Sequence, residues 1–196
     1  MSDVTHVEQT PLGRRLLPRQ ERRAQLIRAA VAAFARQGFA ATGLEDVARE
    51  AGVTRAIIYR HFASKTELYQ AVLEDIQERL RARLGPPDSY DEQTVPTLVR
   101  AACEDPDGFR LLFRHAKREP EFAAYAEDRD RVAARATEIY LRDALPDPDH
   151  RHWVAGLMPV LTIELILSWL EAGQPTSQDE LARTIRATSR ALTGRR

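Results

Sequence analysis

Residues 44–62 read LEDVAREAGVTRAIIYRHF, and the periodicity of this stretch decides the fold. Leu44, Val47, Ala48 and Ala51 recur at i, i+3, i+4 and i+7, which puts one apolar face on a helix of about two turns. Gly52 follows directly, where a left-handed backbone position would end that helix. Val53 can bury beneath the turn, and Thr54 can cap the next helix through its hydroxyl. Ile57, Ile58 and Phe62 then resume the apolar pattern, with Arg55, Tyr59, Arg60 and His61 set between them. Two helices joined by a Gly-containing turn are what a helix-turn-helix requires, and its second helix can enter a DNA major groove. The same arrangement also joins helices in proteins that never meet DNA, so its surroundings must separate the two readings.

Charge is the first of those surroundings. Between Arg14 and Lys65 the chain carries eleven basic residues against four acids, Glu21, Glu45, Asp46 and Glu50. The whole chain of 196 residues is neutral, with 29 basic and 29 acidic side chains, so the basic excess is local. Such polarisation fits one end facing a polyanion and the other serving a different purpose.

Working outward, residues 1–18 hold no sustained period and include Pro11, Gly13 and Pro18; they are expected to form a flexible arm, with Arg14 and Arg15 available to phosphate. A helix is predicted from Arg19–Glu21 to about Gln37, burying Leu26, Ile27, Ala30, Val31, Phe34 and Ala35, with Gly38 ending it and Phe39 folding back. Thr42 or Gly43 occupies the cap region of the next helix. On the other side, Ser64 and Glu67 make a capping box that starts a helix running to about Leu84, on the order of 30 Å long. Further helices are expected over roughly 91–104, after Pro106-Asp107-Gly108, from Pro120 to Leu145, from about His150 to Glu171, and from about Ser177 to Leu192. The predicted fold is all-α, with about nine helices and no strand. It divides into the arm, a helix-turn-helix unit over 19–66 and a helical part over 67–196.

Composition narrows the function. The single cysteine, Cys103, excludes an internal disulfide and is read as a small core residue. No metal-ligand cluster, Walker loop, dinucleotide loop or nucleophile elbow occurs, so neither a cofactor nor enzymatic chemistry is expected. No stretch is expected to span a bilayer; the longest apolar segment, Trp153 to Leu170, is interrupted by Gly156, Pro159, Thr162, Glu164 and Ser168. A cytoplasmic protein follows.

The run from Glu21 to Leu73, with the matching stretch AAVAAFARQGFAATGLEDVAREAGVTRAIIYRHFASKTELYQAVL, closely resembles the DNA-binding domain of the TetR family of bacterial transcriptional regulators. Its most specific portions are VAREAGVTRAIIYRHF and ASKTELYQAVL. The resemblance covers about a quarter of the chain; the remainder agrees only in length, helical content and order. It implies a homodimer whose two heads read a pseudo-palindromic operator on double-stranded DNA. It also implies a C-terminal part that binds a small-molecule effector and supplies the dimer contact. It assigns the positions of Thr54, Arg55, Ile57, Tyr59 and His61 to the recognition helix, and those of Tyr59, His61 and Lys65 to the DNA backbone. Gly43 departs from the family, where Ser or Thr commonly caps the second helix; the loss is a few tenths of a kcal/mol.

Each of these residues has its own chemistry. Arg55 can address guanine O6 and N7 with two donors, or contact phosphate. Ile57 can meet a thymine methyl or join the core, while Ile58 and Phe62 are assigned to packing. For the effector, Phe109, Phe113, Phe122, Tyr125 and Trp153 are the large side chains available, with Arg110, Arg114 and Glu164 as polar partners. Glu164 lies within LMPVLTIELILSW and should face a cation, an interface edge or solvent. The dimer face is expected on the last two helices, through Leu157, Leu161, Leu165, Trp169, Leu181, Ile185 and Leu192. The reading is a ligand-released repressor; the alternatives are a ligand-responsive activator and a helical interaction module without operator recognition.

Overall fold

The computed structural model describes residues 18–194, and all regular structure among them is helical. Apart from Pro18, the expected N-terminal arm lies outside the described residues. The head consists of α1 (Arg19–Ala41), α2 (Leu44–Ala51) and α3 (Arg55–Tyr59), and α4 (Lys65–Leu84) leaves it. After a short 3₁₀ turn come α5 (Thr94–Glu104), α6 (Pro106–Arg110), a π-helical turn (Leu111–His115) and α7 (Ala116–Arg118). Then follow α8 (Ala123–Tyr140), α9 (Pro148–Glu171) and α10 (Gln178–Leu192). With α6, the π turn and α7 taken as one run, the described residues hold nine helical runs.

Local chemistry explains the boundaries. Gly38 (φ 78°, ψ 174°) breaks the helical course of α1 near its predicted end and turns Phe39 into the core. Gly43 caps α2 with no side chain; instead Asp46 accepts the Gly43 N–H at 2.9 Å. That bond is the first cause holding the Asp46 carboxyl below its ordinary range. Gly52 sits at φ 64°, ψ 35°, and Val53 N–H reaches the Ala48 carbonyl at 3.0 Å, closing a Schellman turn. Ser64 caps α4 through Glu67 N–H at 3.0 Å. Two expectations are corrected. Thr54 stands at the cap of α3, but its hydroxyl makes no cap bond, because Ile57 N–H takes the Thr54 backbone carbonyl. α9 begins two residues before the expected His150: Pro148 opens it, since its missing N–H costs nothing at the first helical position and Asp147 accepts the next two N–H groups.

Three helices enclose the head core of Phe34, Val47, Ile58 and Phe62, all buried. That core does not stop at the head. Tyr69 of α4 packs against Phe34 (4.9 Å between ring centroids), Phe39 (5.0 Å) and Phe122 (4.6 Å). Leu111, Leu112 and Ala116 join the same cluster. A second core unites Leu98, Val99 and Phe109 with Ile166, Trp169, Leu181 and Ile185. Trp169, Leu181 and Ile185 are therefore buried within their own chain, which corrects their expected place on a dimer face: the apolar stripe of α10 meets α5 and α9. The expected span of α9 holds to within two residues at its start, but the expectation that no stretch could span a bilayer is corrected. The helix runs through all five interruptions for 24 residues and is apolar enough to cross a membrane by length and composition. Here it packs between α8 and α10.

Two substitutions test this account. Gly52→Ala is expected to destabilise by about 1 kcal/mol through backbone strain alone, since nothing lies within 4 Å of the added carbon. Tyr69→Phe is expected to leave stability unchanged or raise it by about 1 kcal/mol, because the buried Tyr69 hydroxyl has no hydrogen-bond partner among the described residues. Urea unfolding followed by circular dichroism measures both.

Candidate nucleic-acid interface and ligand cavity

The turn at Gly52 and the burial of Ile58 and Phe62 leave the opposite side of α3 facing solvent. Thr54, Arg55 and Tyr59 are exposed there, Ile57 and His61 half-buried. Arg55 is already engaged. One guanidinium nitrogen pairs with Glu45 at the start of α2, another donates to the Tyr59 hydroxyl at 2.7 Å, and the group lies 5.2 Å from the Tyr59 ring centroid. Tyr59 and Glu45 together hold the Arg55 charge above its ordinary range. The exposed pair is worth little energetically, so a stronger acceptor can displace it.

His61 reports the charge around it. Burial first, and then the guanidinium groups of Arg19, Arg60, Arg22 and Arg23, push its pKa below the usual imidazole value. The start of α1 and the end of α3 thus form one basic surface, which the reading of the recognition helix alone had missed. The signal was present in the run Arg19, Arg22, Arg23 at helical spacing. Lys65 also serves the fold. Its ammonium donates to the carbonyls of Phe39 at 2.8 Å and Ala40 at 3.4 Å, and lies over the Phe39 ring. It ties the start of α4 to the end of α1.

Beyond the head, α4, α5, α8, α9 and α10 surround a cavity of about 310 Å³, within the range of small-molecule sites. Phe113 and Glu164 line it. The other expected pocket residues lie elsewhere, and their places are corrected here. Phe109 and Phe122 are buried core residues, and Trp153 is 60 % exposed outside the cavity. Arg110 pairs with Asp107 and reaches the Leu170 carbonyl. Arg114 pairs with Glu171 and, at 3.2 Å, with Glu164, supplying the cation that Glu164 needed. Tyr125 donates to Gln77, whose side chain lines the cavity. Large rings fill whatever apolar space is nearest, so ring size did not mark the walls. Leu80, Tyr90, Leu98, Arg129, Met158 and Ile163 do line it and were not singled out. Arg129 shares a face of α8 with the buried Ala126 and Ala136, a register that could have marked it.

A basic surface presenting a short helix after a Schellman turn defines a helix-turn-helix DNA-binding head joined to a helical part with its own cavity. Residues 26–72 match the model for bacterial regulatory proteins of the tetR family. The transcriptional activator FasR of Mycolicibacterium smegmatis is 30% identical over 177 residues, covering 83% of this chain and 78% of that protein. The transcriptional repressor SCO4008 of Streptomyces coelicolor is 29% identical over 138 residues, covering 65% and 71%. The crystal structure of a TetR-like regulator from Rhodococcus sp. RHA1 superposes with a TM-score of 0.79 at 20% identity, covering 92% of this chain and all of that one. The chain belongs to the TetR family and is a DNA-binding transcriptional regulator.

The lowered His61 pKa sets a pH dependence. In the free protein the neutral imidazole is favoured, so the His61 contribution to stability is present above the ordinary histidine range and is lost as pH falls through the lowered value. Phosphates that neutralise the surrounding guanidinium groups would raise that pKa, so binding would take up a proton. DNA affinity is expected to rise as pH falls from about 8 to about 6. His61→Gln is expected to flatten the profile, read by fluorescence anisotropy at constant ionic strength.

Proposed function

We propose that this chain acts as a homodimer on a pseudo-palindromic operator and is a repressor released by a small-molecule effector. The observation that carries the reading is the double attachment of α4. Its first half places Leu68, Tyr69, Val72 and Leu73 in the head core, and its last turns place Leu80, Arg81 and Leu84 on the cavity wall. A molecule that binds better to one position of those last turns than to another shifts the head with them. Thr54, Arg55, Ile57, Tyr59, His61 and Lys65 are the proposed DNA contacts: Arg55 exchanges Glu45 for a base edge, Ile57 meets a thymine methyl, and Thr54, Tyr59, His61 and Lys65 position the head on phosphate.

The dimer reading is supported by α9. Trp153, Gly156 and Val160 lie exposed at helical spacing, beside the half-buried Leu157 and Leu161. Leu165 and Leu192 are also half-buried and extend the proposed face. Pairing this surface with its twofold copy would bring two heads to a separation of about 34–36 Å or a multiple of it. FasR is named an activator, so positive regulation is the second reading, and operator position relative to the promoter decides between them. Both readings place the protein in the cytoplasm, with its DNA.

Selection of bound sites from random duplexes tests the proposal. The expected outcome is an inverted repeat bound by two chains, with affinity falling steeply as salt rises. Arg55→Ala is expected to relax the preference at one position in each half-site and to lower affinity about tenfold or more there. An undiminished sequence preference in that variant removes Arg55 from base reading, and recovery of no preferred site ends the operator reading.

A further inference from the structure

The head sorts its arginines into two groups. Arg36, Arg49 and Arg55 each pair with a carboxylate, those of Glu50, Asp46 and Glu45 in turn. Among the described residues no carboxylate pairs with Arg19, Arg22, Arg23 or Arg60. Neutral groups brace two of these instead. Arg22 donates to the Gln25 side-chain oxygen at 2.6 Å, and the Gln25 amide donates at 3.0 Å to the carbonyl of Ala51, the last residue of α2. The Arg23 guanidinium lies over the Phe62 ring, 4.9 Å from its centroid. Such partners order a side chain while leaving its charge whole.

The four groups share one place. Burial, and after it the charges of Arg19, Arg60, Arg22 and Arg23, lower the His61 pKa, so all four guanidinium groups act on one imidazole. Arg19, Arg22 and Arg23 stand at the start of α1, where the helix dipole disfavours cations. Mutual repulsion adds to that cost, and Glu21 is the one acid in the first turn. A cluster that is ordered, un-neutralised and destabilising to the free chain is suited to an anion arriving from outside. Arg60 and His61 follow the last residue of α3, whereas Arg55 is its first, so the cluster lies beside the groove contact rather than within it.

We propose that Arg19, Arg22, Arg23 and Arg60 form a phosphate shelf that grips the DNA backbone beside the groove entered by α3, with Gln25 as the residue that positions Arg22. The shelf adds to the six contacts proposed above and rests on DNA binding alone, with no operator or effector assumed. Its contribution is independent of sequence, because phosphates carry no base identity. By bonding to Ala51, Gln25 ties the start of α1 to the end of α2, so the shelf keeps its place relative to the helix-turn-helix.

The test uses the full chain and a random-sequence duplex, read by fluorescence anisotropy over a series of salt concentrations. Arg22→Gln, Arg23→Gln and Arg60→Gln are each expected to weaken binding at least about threefold and to flatten the slope of log K against log[salt] by about 0.9 per bound head. Arg23→Lys keeps the charge and is expected to keep the slope. Arg28→Gln is the control for net charge: at about 100° per residue Arg28 projects from the side of α1 opposite Arg19, and its loss is expected to leave the slope unchanged. Gln25→Leu is expected to weaken binding as Arg22→Gln does, and to add nothing further in the double variant. Thermal unfolding confirms that each variant folds. An undiminished slope in the folded glutamine variants, or an equal loss with Arg28→Gln, overturns the shelf and leaves DNA binding to α3. Equal effects of Gln25→Leu with and without Arg22 overturn the positioning role. An unaltered chain that binds no duplex at any salt concentration overturns the shelf together with the other DNA contacts of the head.

Discussion

The structure depends on the packing of Tyr69 against Phe34, Phe39 and Phe122. Aromatic rings in tilted and edge-on contact bury large apolar areas and resist sliding, because small shifts lose many close contacts at once. This cluster takes residues from α1, from α4 and from the turn before α8 into one core. It makes the head and the start of α4 a single mechanical piece. Lys65 reinforces the junction from outside by holding the carbonyls of Phe39 and Ala40. The lone buried hydroxyl of Tyr69 is the polar exception within the cluster, and burial pushes its pKa up.

From this junction the division of labour follows. The head presents α3 because Ile58 and Phe62 anchor it from beneath, leaving Arg55 and Tyr59 outside. Arg55 waits in a weak exposed pair with Glu45, so its side chain is ordered without being committed. The far half of α4 has a different neighbourhood, a cavity shared with four other helices. One helix therefore touches both the DNA-facing piece and the space a ligand can fill, with no flexible linker between the two.

How much of this was legible depended on whether the signal was local. The turn at Gly52, the break at Gly38 and the cap at Ser64 are short-range events in which one residue type solves one backbone problem, and each was read correctly from its neighbours. The start of α9 falls two residues before the expected His150 because proline can open a helix as well as stop one, and Asp147 just before it caps the new first turn. Thr54 was misread because a residue can hold the cap position while a backbone carbonyl serves the following N–H. The cavity was the least legible feature. Its walls come from five helices distant in sequence, and its one buried charged residue among those described, Arg129, lies in the polar run AEDRDRVAARATE, which looks like a solvated face.

By itself the sequence determined the helical class, the helix-turn-helix and its orientation, and hence the family of DNA-binding regulators to which the chain belongs. These rest on periodicity, caps and turns, whose energetics act over a few residues. Tertiary structure alone decided which apolar stripes pair within the chain, so that Trp169, Leu181 and Ile185 became core and Trp153 and Val160 stayed outside. It also decided that a buried guanidinium would edge a cavity. Burial is non-directional and set by whichever surfaces meet, so no pattern along one helix can specify its partner.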